Sequence, residues 1–188
     1  DLTFALEASG AKAIFLSDHF RSNPYLDNVL AARKALPLLR HVISLDGARP
    51  GTGVLGIEEL AQAPRLKSPV TADPPGTAGA LLFTSGTTGK PKGALLQHSG
   101  MMMCARQTSE RLGLRAGDRW TSIIPLFHCA GCILNIQGAL QVGGAYVGQS
   151  AFDPEALFAL IQNERCTALS GVPTSYLAML QHPARARY

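Results

Sequence analysis

Charge is scarce in this chain. Asp, Glu, Lys and Arg make up 16% of its 188 residues, against 46% hydrophobic. That balance excludes a disordered, self-repelling polymer and leaves enough apolar side chain for a sizeable core. Segment 120–152 lacks those four residue types altogether. A membrane-crossing helix needs about 20 consecutive apolar residues. This segment is interrupted by Pro125, His128, Asn135, Gln137, Gln141 and the pair Gly143-Gly144, so it predicts a strand, a helix and another strand buried on both sides. The expectation is a soluble, cytoplasmic chain without a transmembrane segment. No block of basic residues interleaved with aromatics occurs, which argues against nucleic acid as a partner; the net charge of +4 favours small anionic ligands. The cysteines Cys104, Cys129, Cys132 and Cys166 include one CxxC, but no second pair or His pair completes a zinc set. They are predicted to be buried free thiols acting as small hydrophobes, with no metal ligand among them. Met101-Met102-Met103 reads as helix packing. There is no initiating Met, signal peptide, internal repeat or low-complexity tract, and both ends look cut.

What is present alternates between short strands and helices. Strands are expected at Ala13–Leu16 and His41–Leu45, flanking a helix through Asp27–Leu36. The stretch from Pro50 to Gly79, rich in Pro and Gly, reads as loop with one short helix at Ile57–Ala61. Ser99 is the expected N-cap of a helix ending near Gly113. A strand at Trp120–Ile124, a helix at Ala130–Gln141 and a strand at Ala145–Val147 follow. Asp153-Pro154-Glu155 combines a capping carboxylate, a proline in the first turn and an acid near the positive end of the helix dipole. A strand at Thr167–Ser170 and a helix from Pro173 through Leu180 close the series. This order predicts a layered α/β sheet domain with mainly parallel strands.

The most informative segment is Thr84-Ser85-Gly86-Thr87-Thr88-Gly89-Lys90-Pro91-Lys92-Gly93, set between the apolar runs 80–83 and 94–96. Glycines let backbone N–H groups crowd around anionic oxygens, hydroxyls donate hydrogen bonds and lysines bring positive charge, which together suit a polyphosphate. A solvated turn uses the same residue types, but less systematically. A Walker A loop is excluded. It needs four residues between its first Gly and Gly-Lys-Ser/Thr, whereas only Thr87 and Thr88 separate Gly86 from Gly89, and Pro91 follows Lys90.

The segment resembles, residue for residue, the phosphate-binding signature of the adenylate-forming superfamily, which includes acyl-CoA synthetases, aryl-CoA ligases, luciferases and peptide-synthetase adenylation domains. The resemblance continues through Gln97-His98-Ser99, Leu112-Gly113-Leu114…Gly117-Asp118-Arg119 and Pro125-Leu126-Phe127-His128. Phe152-Asp153-Pro154 and Arg165-Cys166-Thr167…Gly171-Val172-Pro173-Thr174 are similar to the fatty-acyl-CoA synthetase branch, particularly its medium-chain members. It implies part of the large N-terminal domain of such an enzyme, with residues 1–188 truncated at both ends and the C-terminal domain absent. The reaction it implies joins a fatty or other carboxylic acid to ATP, giving an acyl-adenylate, and then to coenzyme A, with Mg²⁺ bridging phosphate oxygens; self-association is left open. By the same resemblance Thr84, Ser85, Gly86, Thr87, Thr88, Gly89 and Lys92 hold the ATP phosphates. Lys92 and His128 carry the chemistry, and His128, Gly131, Gly171, Val172 and Pro173 line the acyl pocket. His128 is expected at the end of a strand running from Ser122 to Phe127, and His98 caps or orients the next helix.

Segments that stack on adenine, bind ribose and supply a C-terminal catalytic lysine are not found among these residues, so the chain alone is expected not to turn over. Two alternatives stand beside this reading. An aryl-acid or amino-acid adenylating enzyme shares the first step, although Cys129-Ala130-Gly131 offers no Asp for an α-amino group. A non-catalytic nucleotide-binding module is the other.

Overall fold

The computed structural model describes residues 2–64, 68, 74, 76–84 and 91–188. Contacts divide the chain into two compact units. The first comprises Asp1–Asp73 with Phe83–Ala94, and the second Pro74–Leu82 with Leu95–Tyr188.

The first unit runs α1 (Leu2–Ser9), β1 (Ala13–Leu16), α2 (Tyr25–Ala32, continued by a 3-10 turn at Arg33–Ala35), β2 (His41–Ser44), β3 (Val54–Gly56) and α3 (Ile57–Ala61). The three strands form a parallel sheet in the order β1-β2-β3, with Ile14 opposite Val42 and Ile43 opposite Leu55. Parallel neighbours need a crossover, and α2 supplies it between β1 and β2. Its Leu26 and Val29, one helical turn apart, turn inward and join Leu16, Leu36, Leu39, Val42 and Val54 in one apolar cluster. Strand β3 corrects the expectation of loop from Pro50 to Gly79. At three residues it is too short to show an alternating pattern, and pairing with β2 is what buries Val54. At the carboxyl end of β2, the buried Ser44 hydroxyl donates to Asp18 at 2.5 Å, and Asp18 also pairs with Arg49.

Strands β4 (Ala78–Thr84) and β5 (Lys92–Gln97) pair with each other. The second unit continues through α4 (His98–Arg111), β6 (Arg119–Ser122), a π-helix at Ala130–Gln137, α5 (Gly138–Gln141), β7 (Ala145–Val147), α6 (Pro154–Glu164), β8 (Ala168–Ser170), α7 (Pro173–Gln181) and a final 3-10 turn at Pro183–Arg187. Its sheet is parallel in the order β7-β6-β8. As expected, Asp153 caps α6: its Oδ1 accepts the Ala156 N–H at 2.8 Å and Pro154 occupies the first turn.

Two expectations are corrected here. Ser99 is not the cap of α4. The helix begins at His98 with an extended Gln97 before it, and the His98 N–H donates to the Thr77 carbonyl at 3.0 Å. A neighbouring strand end therefore satisfies a donor that a side chain would otherwise take. The helix expected over Ala130–Gln141 is π-helical to Gln137 and α-helical only afterwards. Gly131, Ile133 and Asn135 are the buried residues of the π-helical part.

The core of this unit is partly polar. Trp120, Thr121, Ser122 and Asn135 are all buried. Trp120 Nε1 and Asn135 Nδ2 both donate to Ser170 Oγ, at 2.7 and 2.9 Å, tying β6 and the π-helix to the end of β8. The charge-free segment is not buried throughout, however: Leu140 is 65% and Phe127 85% exposed. Among the described residues no helix is long and apolar enough to cross a membrane.

Candidate functional site

Of the phosphate-loop candidates, Ser85, Gly86, Thr87, Thr88 and Gly89 lie outside the described residues, as does Lys90. The two that flank them are Thr84, ending β4, and Lys92, opening β5. Thr84 Oγ1 donates to the Lys92 carbonyl at 3.4 Å, and both residues are exposed. This long contact uses the Lys92 backbone, which leaves the ammonium group free of it.

The remaining candidates lie in the second unit, and the expectation that His128 ends a strand is corrected. β6 stops at Ser122 because the Ser122 hydroxyl accepts the Ile124 N–H at 3.0 Å and Pro125 has no N–H to continue the ladder. The chain then turns, with the His128 N–H donating to the Pro125 carbonyl at 3.0 Å, and His128 emerges exposed beside the exposed Leu126 and Phe127.

Its ring is oriented by the backbone. The Ala130 N–H donates to His128 Nδ1 at 3.1 Å. A backbone amide can only donate, so Nδ1 is an acceptor and the proton of the neutral ring sits on Nε2. His182 makes a similar bond with the Ala184 N–H at 3.2 Å, but it is half-buried with its ring 6.2 Å from that of Phe158. His182 is a helix cap. His128 is exposed, and its Nε2 takes no part in the bond to the Ala130 N–H.

Gly131 and Gly171 flank the segment Ile123–Pro125 that carries the chain from β6 to His128. A Cβ on Gly131 would collide with the Pro125 carbonyl oxygen, and one on Gly171 would come within 2.6 Å of Ile123 Cδ1. Both glycines are therefore close-approach positions. Val172 is 48% exposed, and Pro173 opens α7.

An apolar cavity of about 350 Å³ adjoins this turn, bounded by Gly100, Met101 and Cys104 of α4 and by Cys129, Ile133 and Leu134. The contribution of α4 is missing from the sequence reading. Its signal is the spacing of Met101 and Ala105, buried one turn apart, while Met102 and Met103 are exposed and do not pack. The cysteine expectation is likewise corrected. Cys104 and Cys129 are exposed, and Cys132 and Cys166 are half-buried. Burial pushes the Cys166 thiol up from its ordinary pKa. Among the described residues no group of three or more His, Cys, Asp or Glu is placed to hold a metal ion.

The AMP-binding enzyme family matches residues 1–188. Over 172 residues the chain is 30% identical to the medium-chain fatty-acid–CoA ligase of Escherichia coli (strain K12), covering 91% of this chain and 30% of the ligase. It is 38% identical over 103 residues to a feruloyl-CoA synthase of Amycolatopsis sp, covering 55% of this chain and 21% of the synthase. Among solved structures, apo MbtA of Mycobacterium smegmatis superimposes with a TM-score of 0.84 at 29% identity, over 96% of this chain and 33% of MbtA. The chain thus spans less than a third of the length of either curated relative.

Proposed function

The chain belongs to the family of AMP-binding enzymes, and on that premise we propose that it forms part of the adenylation domain of an ATP-dependent fatty-acid–CoA ligase. The observation that carries the reading is the pairing of a polar head site with an apolar hollow. An exposed imidazole with Nδ1 tied to the backbone stands next to Cys129, where the 350 Å³ cavity begins. An acid with a carboxylate at one end and a hydrocarbon body at the other matches that pairing.

In this proposal Thr84, Ser85, Gly86, Thr87, Thr88, Gly89 and Lys92 hold the β- and γ-phosphates, and Mg²⁺ arrives with ATP. His128 Nε2–H donates to the substrate carboxylate. One carboxylate oxygen attacks the α-phosphorus, the bond to pyrophosphate breaks, and acyl-adenylate forms. The thiol of coenzyme A then attacks the acyl carbon and AMP departs. Bringing a carboxylate to a polyphosphate sets two anions against each other, so neutralisation by Lys92 and alignment by His128 are what this part of the chain contributes. Gly131, Gly171, Val172 and Pro173 line the path of the acyl group, and the α4 side of the cavity receives its tail.

The test is acid-dependent exchange of pyrophosphate into ATP by the full-length protein across aliphatic, aromatic and amino acids. Aliphatic acids of medium length are expected to be best. Preference for aromatic acids would move the assignment toward the feruloyl-CoA synthase-like relatives, and exchange with amino acids alone would overturn it. Lys92→Ala is expected to lower exchange by about 100-fold; unchanged exchange would remove Lys92 from the site. The isolated 188 residues are expected not to turn over, and sustained acyl-CoA synthesis by them would overturn the partial-domain reading.

A further inference from the structure

The Cys129-Ala130-Gly131-Cys132 segment sits at the start of the π-helix, and its first sulfur is not placed like a packed hydrophobe. Cys129 is exposed, and its Sγ lies 3.7 Å from His128 Nδ1. That nitrogen already accepts the Ala130 N–H, so the Cys129 thiol shares an acceptor that is also a base. Cys132 is half-buried, packed against the cluster of Met101, Ala105 and Ile133, and its Sγ turns back toward the Cys129 carbonyl at 3.9 Å. The N–H groups of Gly131 and Cys132 both donate to the His128 carbonyl, at 2.9 and 3.1 Å, closing 128–132 into a single turn.

We propose that Cys129 and Cys132 form a reversible dithiol–disulfide pair, with Cys129 as the peroxide-reactive thiol and Cys132 as the resolving one. Three features separate this pair from a chance CxxC. The first thiol is open to solvent, an imidazole nitrogen lies 3.7 Å from it, and the second thiol is half-buried three residues on within the same turn. Residues three apart on a helix have Cβ atoms about 5–6 Å apart, and a disulfide needs about 3.5–4.5 Å, so closure requires a shift of only about 1–2 Å in the first turn.

The chemistry balances without a cofactor. The Cys129 thiol, open to solvent, loses its proton there, and the thiolate attacks one oxygen of hydrogen peroxide. The O–O bond breaks, leaving Cys129 sulfenic acid, and the released hydroxide takes a proton to become water. The Cys132 thiol then attacks the Cys129 sulfur, the S–S bond forms, and a second water leaves. Two thiols and one peroxide give one disulfide and two waters. A small dithiol reverses the step. Cys129 also lines the cavity, so oxidation alters both the His128 turn and the cavity wall; that consequence, unlike the redox pair itself, rests on the proposed function.

The experiment uses the reduced full-length protein, titrated with hydrogen peroxide, alkylated and digested with trypsin. Cleavage after Arg119 and Arg165 places Cys129 and Cys132 in the peptide 120–165, with Cys104 in 93–106. Cys104 is an exposed thiol and serves as the internal control. The expected result is loss of two hydrogens and both alkylation sites within 120–165, reversed by dithiothreitol and about ten times faster than oxidation of Cys104. In Cys132→Ser, Cys129 accumulates as a dimedone-trapped sulfenic acid; in Cys129→Ser, residue 132 stays reduced. The proposal is overturned if 120–165 retains two alkylatable thiols while Cys104 oxidises, or if 120–165 crosslinks to 93–106 instead. The readout is a peptide mass, so it stands or falls independently of ligase activity.

Discussion

The two three-stranded sheets are both parallel, yet their surroundings differ in kind. Around β1-β2-β3 the buried cluster is aliphatic: Leu16, Leu26, Val29, Leu36, Leu39, Val42 and Val54. Around β7-β6-β8 the interior holds Trp120, Thr121, Ser122 and Asn135, and the adjoining helix is π-helical. Aliphatic packing fills space with no directional demand. A buried hydroxyl or amide that finds a partner fixes where neighbouring elements lie, as the Trp120, Ser122 and Asn135 Nδ2 groups do, whereas Thr121 Oγ1 and Asn135 Oδ1 are buried without one. Asn135 and Trp120 converge on Ser170 and thereby fix the strand end that leads into Gly171. Candidate acyl-pocket residues Gly131 and Gly171 lie in the unit whose interior is specified in this directional way.

Four substitutions sharpen that contrast. Leu26→Ala in the aliphatic cluster should lose about 3 kcal/mol through transfer and cavity terms, read as a lower midpoint in chemical denaturation. A loss below about 1 kcal/mol would mean that this cluster is loosely packed. In the full-length protein His128→Ala should cost about 100-fold in adenylation with little change in melting temperature, because the residue is exposed. Equal losses of stability and rate would make His128 structural. Asn135→Ala should destabilise by about 1–3 kcal/mol, since it leaves a cavity and removes a donor from Ser170. Asn135→Asp should do no better, because a carboxylate cannot donate there. Recovery of full stability by Asp would break the account of a directional core.

The smallest effect concerns pH. Asp118 Oδ2 accepts the Arg115 N–H at 2.7 Å and its Oδ1 accepts the Thr167 hydroxyl at 2.8 Å, and these bonds hold its carboxyl below the usual aspartate range. A carboxyl depressed in the folded state contributes stability at pH above the ordinary aspartate pKa. That contribution is lost as pH falls through the lowered value. Asp118→Asn should flatten this part of the acid limb of a thermal-stability profile while leaving the neutral-pH behaviour nearly unchanged. An unaltered acid limb would exclude the coupling.

Much of this was legible in the residues because the signals are local. Asp153-Pro154 marks the start of α6, Ile57–Ala61 is the short helix the pattern predicts, and strand β7 falls at Ala145–Val147 as expected. Misplaced features depend on partners distant in sequence. β3 exists because β2 lies alongside it, and α4 starts at His98 because the Thr77 carbonyl is there. At the candidate site, the motif pointed to His128 but did not show its setting. Ser122 and Pro125 end the strand early, so the ring stands on a turn instead of a strand tip. The exposure of Cys129 follows from the same early turn, which an apolar sequence context does not reveal.

Trp120 is the chain's single tryptophan, and its indole N–H is bonded to the serine that immediately precedes Gly171. The protein therefore carries a built-in optical probe at the edge of the wall proposed to meet the acyl group. A ligand that shifts Ser170 changes the polarity felt by one fluorophore, so occupancy can be followed through emission wavelength without any label.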